Sequence, residues 1–342
     1  MDWFEALFGF REDGYASVRK HLSLEGQVLH SSANGRSFGV GALELVSLQA
    51  LRDRVKPRMQ AAPGFAGRLK AGIVRGDVRK LHRVPEYAGA LFQVASQFNL
   101  LEMPSYSVTP EAGITAYAYD HTQGPACALA AAAATLYRNY FVPVGAQSGQ
   151  TRAHQLDGLA ALGAVLGARL GMPVDSLWSM TNGYALCTRE GLAAISGLLA
   201  GLDGEQRDGL RGHLQIGVHR DVEVTDAGPG ATVCVSQAFC SALPVAYTRV
   251  PDPDWAAFAT LVLESAYEAT LLAAAANAMS GGSNMVLLTS LGGGAFGNRD
   301  EWIHGAMRRA LAGMSGFNLD VRVVSHGAPA PGLVQLVREV AG

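Results

Sequence analysis

Charge is scarce in this sequence. Only 16% of its 342 residues are Asp, Glu, Lys or Arg, and 27 basic against 29 acidic residues leave a formal net charge of −2. With no long Lys/Arg run there is no field to hold nucleic acid or an anionic membrane surface, so neither is expected as a partner. Cysteine is scarce as well. Cys127, Cys187, Cys234 and Cys240 form no C-x-x-C pair and are too few for a disulfide scaffold, which points to a reducing, cytoplasmic setting. The start, Met1-Asp2-Trp3-Phe4-Glu5, lacks a basic n-region. The most apolar runs, Ala126 to Tyr137 and Ala269 to Met279, fall short of the about 20 residues that span a bilayer, so no membrane span is expected. The histidines show neither H-E-x-x-H nor a neighbouring Cys/His spacing, so no metal site is expected. His219-Arg220-Asp221 and Ser241 have no G-x-S-x-G elbow to make them a hydrolase triad.

What is present is apolar material, 49% of the chain, enough for a large core. Short apolar runs ended by polar residues read as strands buried on both faces: Ala71 to Val74, Ala90 to Ser96, His213 to His219, Ala231 to Ser236, Asn284 to Ser290 and Asp320 to Ser325. Helical patterns lie between them. The clearest runs from Asp252-Pro253-Asp254 to about Met279, with an Asx N-cap candidate and Gly281-Gly282 beyond its end. This alternation predicts a three-layer α/β/α domain with a mixed sheet over residues 70–342. Residues 1–69 read as an N-terminal extension packed on it, with a bent strand near Phe38 to Leu45, and residues 145–212 as a helical insertion without clear strands.

The sharpest local signal is Leu287-Leu288-Thr289-Ser290-Leu291-Gly292-Gly293-Gly294-Ala295-Phe296-Gly297-Asn298, an apolar strand feeding a glycine-rich turn that opens a helix. Glycines let backbone amides approach an anion, and the helix start adds unpaired donors. The alternative is a tight turn that needs small residues and nothing more. Gly292, Gly294 and Gly297 formally satisfy G-x-G-x-x-G, which keeps a dinucleotide-binding oxidoreductase as a competing reading, but too little chain follows for the rest of that unit. A second loop, Gln123-Gly124-Pro125-Ala126, also opens a helix. Carboxylates cluster nearby at Glu102, Glu111 and Asp120; each could orient water or stabilise charge as a glycosidic bond breaks, or merely cap a loop. Gln97 and Asn99 are open between ribose-type hydrogen bonding and turn bonding. On the long helix, Tyr267 reads as core and Glu264 and Glu268 as a polar surface, with a nucleobase contact as the alternative.

Gly76-Asp77-Val78, followed by Ala95-Ser96-Gln97-Phe98-Asn99, resembles the opening of a macrodomain, where a Gly-Asp-Ile/Val turn and an Asn-Ala-Ala-Asn-like strand end recur. The late Gly-Ala-Phe-Gly loop is similar to the second phosphate loop of poly(ADP-ribose) glycohydrolases. Together with Gln123-Gly124-Pro125-Ala126, these residues resemble macrodomain proteins related to the Legionella effector that removes ADP-ribose from arginine on ubiquitin. The resemblance implies a macrodomain-like fold and an ADP-ribosyl hydrolase acting on a mono-ADP-ribosylated protein side chain, arginine above all, with ADP-ribose as ligand and product and no cofactor required. It places adenine near Asp77, the diphosphate between the Gly124 and Gly292 loops and Phe296 against the distal ribose. Gln97, Asn99, Gln123, Pro125, Ala126, Gly293, Gly294, Ala295, Gly297 and Asn298 complete the implied ligand set. Asp120 is the first choice for catalysis, ahead of Glu111 and Glu102. A reader that binds ADP-ribose without cleaving it is the other alternative.

Overall fold

A computed structural model describes residues 1–228 and 233–341. Seven strands form its central sheet: β1 (Ala42–Ser47), β2 (Lys70–Arg75), β3 (Leu91–Ala95), β4 (Gln215–Glu223), β5 (Cys234–Cys240), β6 (Met285–Leu288) and β7 (Asp320–Ser325). Their spatial order is β1-β4-β5-β3-β6-β7-β2. From β5 across to β2 every neighbouring pair is parallel, and β4 runs against both of its neighbours. The α/β class with a mixed sheet is therefore as expected, and each strand candidate falls on one of β2 to β7, although those for β4 and β5 stop four residues short of the strand end. Residues 231 and 232 of the candidate that became β5 lie outside the described residues.

Among the described residues, the helices of eight residues or more are α1 (Leu48–Ala61), α2 (Gln123–Ala130), α3 (Ala132–Tyr140), α4 (Ala160–Leu170), α5 (Arg189–Ala200), α6 (Gly204–Arg211), α7 (Asp252–Met279), α8 (Asp300–Gly313) and α9 (Pro331–Ala341). Parallel strands covered twice need apolar residues on both faces, and β3 shows this: Phe92 and Val94 pack with Cys127, Ala131 and Ala134 of the α2–α3 layer, while Leu91 packs into the layer built by α1, α7, α8 and α9. The single helix expected after Gly124-Pro125 is broken at Ala131, whose successor Ala132 donates its amide to the Thr225 hydroxyl at 2.9 Å.

α7 is the central pillar of its layer. Its run of alanines lets it lie close to the sheet, and Trp255 and Phe258 are wholly buried at its start. Asp252 is already helical and caps no amide, so the Asx cap does not form; Asp252, Pro253 and Asp254 instead supply a first turn suited to the dipole. By length and composition alone α7 could cross a bilayer, which corrects the expectation that every apolar stretch is too short. In the fold 72% of its most apolar window is buried inside the molecule.

The first residues form two short helices (Trp3–Phe8 and Tyr15–His21) and a three-stranded meander (Leu22–Glu25, Val28–Ser31, Ser37–Gly39). Phe4, Phe8, Val18, Leu29 and Phe38 pack against Ala128, Ala132, Leu136 and Tyr140 on the outside of α2 and α3. The bend expected between Phe38 and Leu45 is a full break: Gly41 has φ +69°, and a Cβ there would strike the Arg220 carbonyl, so the meander and β1 are separate strands.

Within 145–212 the expectation of no strands is wrong. Trp178–Thr181 and Tyr184–Cys187 form an antiparallel hairpin. Its turn is Asn182-Gly183, both at positive φ (47° and 79°), the backbone that a two-residue hairpin loop requires.

Candidate functional site

In a parallel sheet all C-terminal strand ends lie along one edge, and the loops leaving β2, β3, β5, β6 and β7 converge there. β3 and β6 pair only through Val286 with Leu91 and Leu287 with Phe92, then splay apart. The Gln123 carboxamide bonds the backbone groups so released, accepting from the Ala95 amide at 2.8 Å and donating to the Gln93 carbonyl at 2.8 Å. A side chain thus does the work of a missing strand, and the gap above it is a cavity. It has a volume of about 290 Å³ and is bounded by Gly124 and Pro125 on one side and Gly292, Gly294, Ala295 and Phe296 on the other. A second compartment of about 360 Å³, lined by Asp77, Ala126 and His326, shares Asp120, Thr122, Gln123 and Thr289 with the first.

Both glycine-containing loops therefore open on one cavity. At the start of α2 the Thr122 side chain caps no amide, and the amides of Gln123 and Gly124 have no acceptor among the described residues. Gly124 has to be glycine, because a Cβ would collide with the Ala95 carbonyl. Opposite, the turn after β6 is held from behind. The Tyr267 hydroxyl donates to the Thr289 carbonyl at 2.7 Å and accepts from the Leu291 amide at 2.9 Å. Asn298 donates to the Leu243 carbonyl at 2.8 Å. Amides of Gly293, Gly297 and Asn298 are consumed within the turn, whereas those of Gly292, Gly294, Ala295 and Phe296 have no acceptor among the described residues. Two sets of unpaired donors thus line one cavity, an arrangement suited to a diphosphate.

Asp120 lies where the compartments join, half-buried, its Oδ1 accepting from the Thr122 amide at 2.9 Å. Glu102 forms part of the floor of the first compartment. It is fully buried beside Arg138, whose Nη2 stands 3.3 Å and 3.4 Å from its two oxygens and whose Cζ lies 3.8 Å from the centre of the Phe239 ring. Burial pushes the Glu102 carboxyl up to about 7, with Arg138 pulling in the opposite direction.

Other sequence candidates fall elsewhere. Glu111 lies outside both compartments, exposed, its Oε1 accepting from the Arg152 amide at 2.8 Å; it stabilises a loop rather than facing the cavity. Asn99 is wholly buried, bonding the Leu101 amide and Gln155, and it faces the hairpin turn rather than the cleft. Gln97 does line the cavity, but its carboxamide is occupied by both backbone groups of Met103. Gly293, Gly297 and Asn298 shape the turn from behind rather than lining it. On α7, Glu264 and Glu268 pair with Arg211, Arg52 and Arg309, and so are taken up by ion pairs.

Sequence reasoning missed Tyr184 and Tyr247, which line the first compartment, and Arg138 beneath it. Tyr184 had a usable signal in Asn182-Gly183, the turn that delivers it. Arg138 had none, since an arginine on a helix gives no hint that it will be wholly buried.

No family model matches the sequence and no curated protein matches it. Among solved structures the chain is similar to poly(ADP-ribose) glycohydrolase from Deinococcus radiodurans in complex with ADP-ribose, at 15% identity over 87% of this chain and 94% of that one, with a TM-score of 0.45. It is also similar to poly(ADP-ribose) glycohydrolase from Thermomonospora curvata, at 11% identity over 95% and 94% of the two chains and a TM-score of 0.39. Likeness this loose assigns neither an activity nor a residue's role.

Proposed function

We propose that the protein is an ADP-ribosyl hydrolase that releases ADP-ribose from a modified protein side chain, with arginine as the linkage. The observation that carries this is the pair of unpaired amide sets, Gln123 and Gly124 against Gly292, Gly294, Ala295 and Phe296, facing one cavity whose junction holds Asp120. A diphosphate gripped by backbone donors leaves adenosine for the compartment at Asp77 and the distal ribose for the one at Phe296. Binding energy spent on the remote diphosphate and adenosine then fixes the anomeric carbon near Asp120.

In this reading Asp120 orients a water and takes one of its protons as the new C–O bond forms at the anomeric carbon. The C–N bond breaks with its electron pair going to the guanidine nitrogen, and the proton held by Asp120 is returned to that guanidine. Atoms and charge balance, and no cofactor is asked for. Glu102, next to Arg138, forms the rigid floor. The four free thiols support a reducing, cytoplasmic setting.

The test is incubation with proteins ADP-ribosylated on Arg, Glu/Asp or Ser, and with poly(ADP-ribose), measuring released ADP-ribose. Release from the arginine-linked protein, abolished in Asp120→Ala, is the expected result. Binding of ADP-ribose with no release from any substrate would make the protein a reader.

A further inference from the structure

The first compartment has an aromatic wall that continues from Phe296, the residue at the ribose, to two tyrosines. Tyr184 and Tyr247 have ring centroids 5.2 Å apart, Phe296 lies 5.3 Å and 5.5 Å from them, and Tyr106, beyond the residues that line the compartment, lies 6.3 Å from each tyrosine. Tyr184 is fixed by donating its hydroxyl to the Met103 carbonyl at 2.8 Å, while Tyr106 is 41% exposed. Edge-to-face contacts fuse the four rings into one surface. Burial, then Tyr247 and Asp120, hold the Tyr184 phenol above its ordinary range, so the wall lies within the field of the Asp120 carboxylate. Among the residues lining this compartment the ionisable side chains are Glu102, Asp120, Tyr184 and Tyr247; no Lys, Arg or His is among them.

That inventory has a sign. Away from the two sets of amides, a flat cation would find electron-rich rings in the same compartment as the Asp120 carboxylate. We infer that Tyr106, Tyr184 and Tyr247, next to the Phe296 ring, form the subsite for the departing group and favour a planar guanidinium over the uncharged ester linkage to Glu/Asp. The inference rests on the hydrolase reading above and adds to it which residues set the linkage.

Three variants test it: Tyr106→Leu and Tyr247→Leu remove a ring, and Tyr106→Phe keeps one. Exposed Tyr106 offers its ring to no buried bond, so its loss leaves folding intact. ADP-ribose binding is measured first by calorimetry, then methylguanidinium binding to the ADP-ribose-saturated protein, then kcat/KM on arginine-linked and glutamate-linked substrates. The expected result is methylguanidinium binding to the parent and to Tyr106→Phe, with kcat/KM on the arginine-linked substrate roughly tenfold lower in both Leu variants. ADP-ribose affinity stays unchanged in Tyr106→Leu. If ADP-ribose binds normally but the Leu variants treat both linkages as the parent does, the wall is no subsite and the hydrolase reading survives without it. If ADP-ribose does not bind at all, the hydrolase reading fails and the subsite falls with it.

Discussion

The Glu12 carboxylate accepts from the Thr115 amide at 2.6 Å, more than a hundred residues away in sequence. The same carboxylate accepts from the Ile114 amide at 2.9 Å and from the Tyr140 hydroxyl at 2.8 Å, and the Trp3 indole donates to the Thr115 carbonyl at 2.9 Å. Thr115–Tyr119 is the turn that hands the chain to Asp120. The N-terminal segment therefore clamps the loop that carries the proposed base. Glu12→Ala leaves these donors without their acceptor, costs about 1–3 kcal/mol of stability and slows hydrolysis through a looser Asp120, with ADP-ribose affinity nearly retained. Denaturant unfolding and a kcat/KM comparison check both parts.

Replacing Asp120 by Ala is expected to abolish release of ADP-ribose while leaving its affinity within a few-fold of the parent, because the diphosphate is held by backbone amides that the substitution leaves in place. Calorimetry paired with a release assay measures the two effects separately. Equal turnover in the variant would remove Asp120 from the mechanism.

Stability should also depend on the proton at Glu102. Its folded value of about 7 lies above the ordinary 4.5. Below 4.5 both folded and unfolded chains hold the proton and the group costs nothing. Between 4.5 and about 7 the unfolded chain loses it while the folded chain keeps it, so this contribution to stability is lost as pH rises through that window. Glu102→Gln cannot titrate. Relative to this variant, the parent should lose stability from pH 5 to pH 8, measured by denaturant midpoints; a constant difference would contradict the assignment.

Two glycine substitutions separate shape from ligand. Gly124→Ala forces a methyl into the Ala95 carbonyl, so it should lower both stability and ADP-ribose affinity. A Cβ at Gly294 meets nothing within 4 Å and the residue needs no positive φ. Gly294→Ala should therefore keep its melting temperature, and its added methyl, set among the free amides, should weaken ADP-ribose binding. Thermal denaturation and titration calorimetry distinguish the two.

Much of the sheet was readable because strands covered on both faces carry short apolar runs: Met285–Leu288 of β6 is apolar throughout, Leu91–Ala95 of β3 is broken only by Gln93, and β2 and β7 carry apolar residues between polar ends, while the glycines at 124 and 292–297 marked the turns that meet at the sheet edge. Glu111 misled for a physical reason. Its distance from Asp120 along the chain is short, but the Thr115–Tyr119 turn lies between them, and only long-range bonds from Glu12 and Trp3 decide which way that loop faces. The Gln123 carboxamide filling in for a strand, and Arg138 buried on the Phe239 ring, are likewise products of tertiary packing with no local pattern. The hairpin that carries Tyr184 is different, since Asn182-Gly183 spelled it out.

The most direct measurement follows the backbone amide resonances of Gln123, Gly124, Gly292, Gly294, Ala295 and Phe296 in the isotope-labelled protein during titration with ADP-ribose. Both sets should move together along one binding curve. If ADP-ribose binds and leaves either set unmoved, the diphosphate is not held between the two loops, and the account of this cleft is wrong.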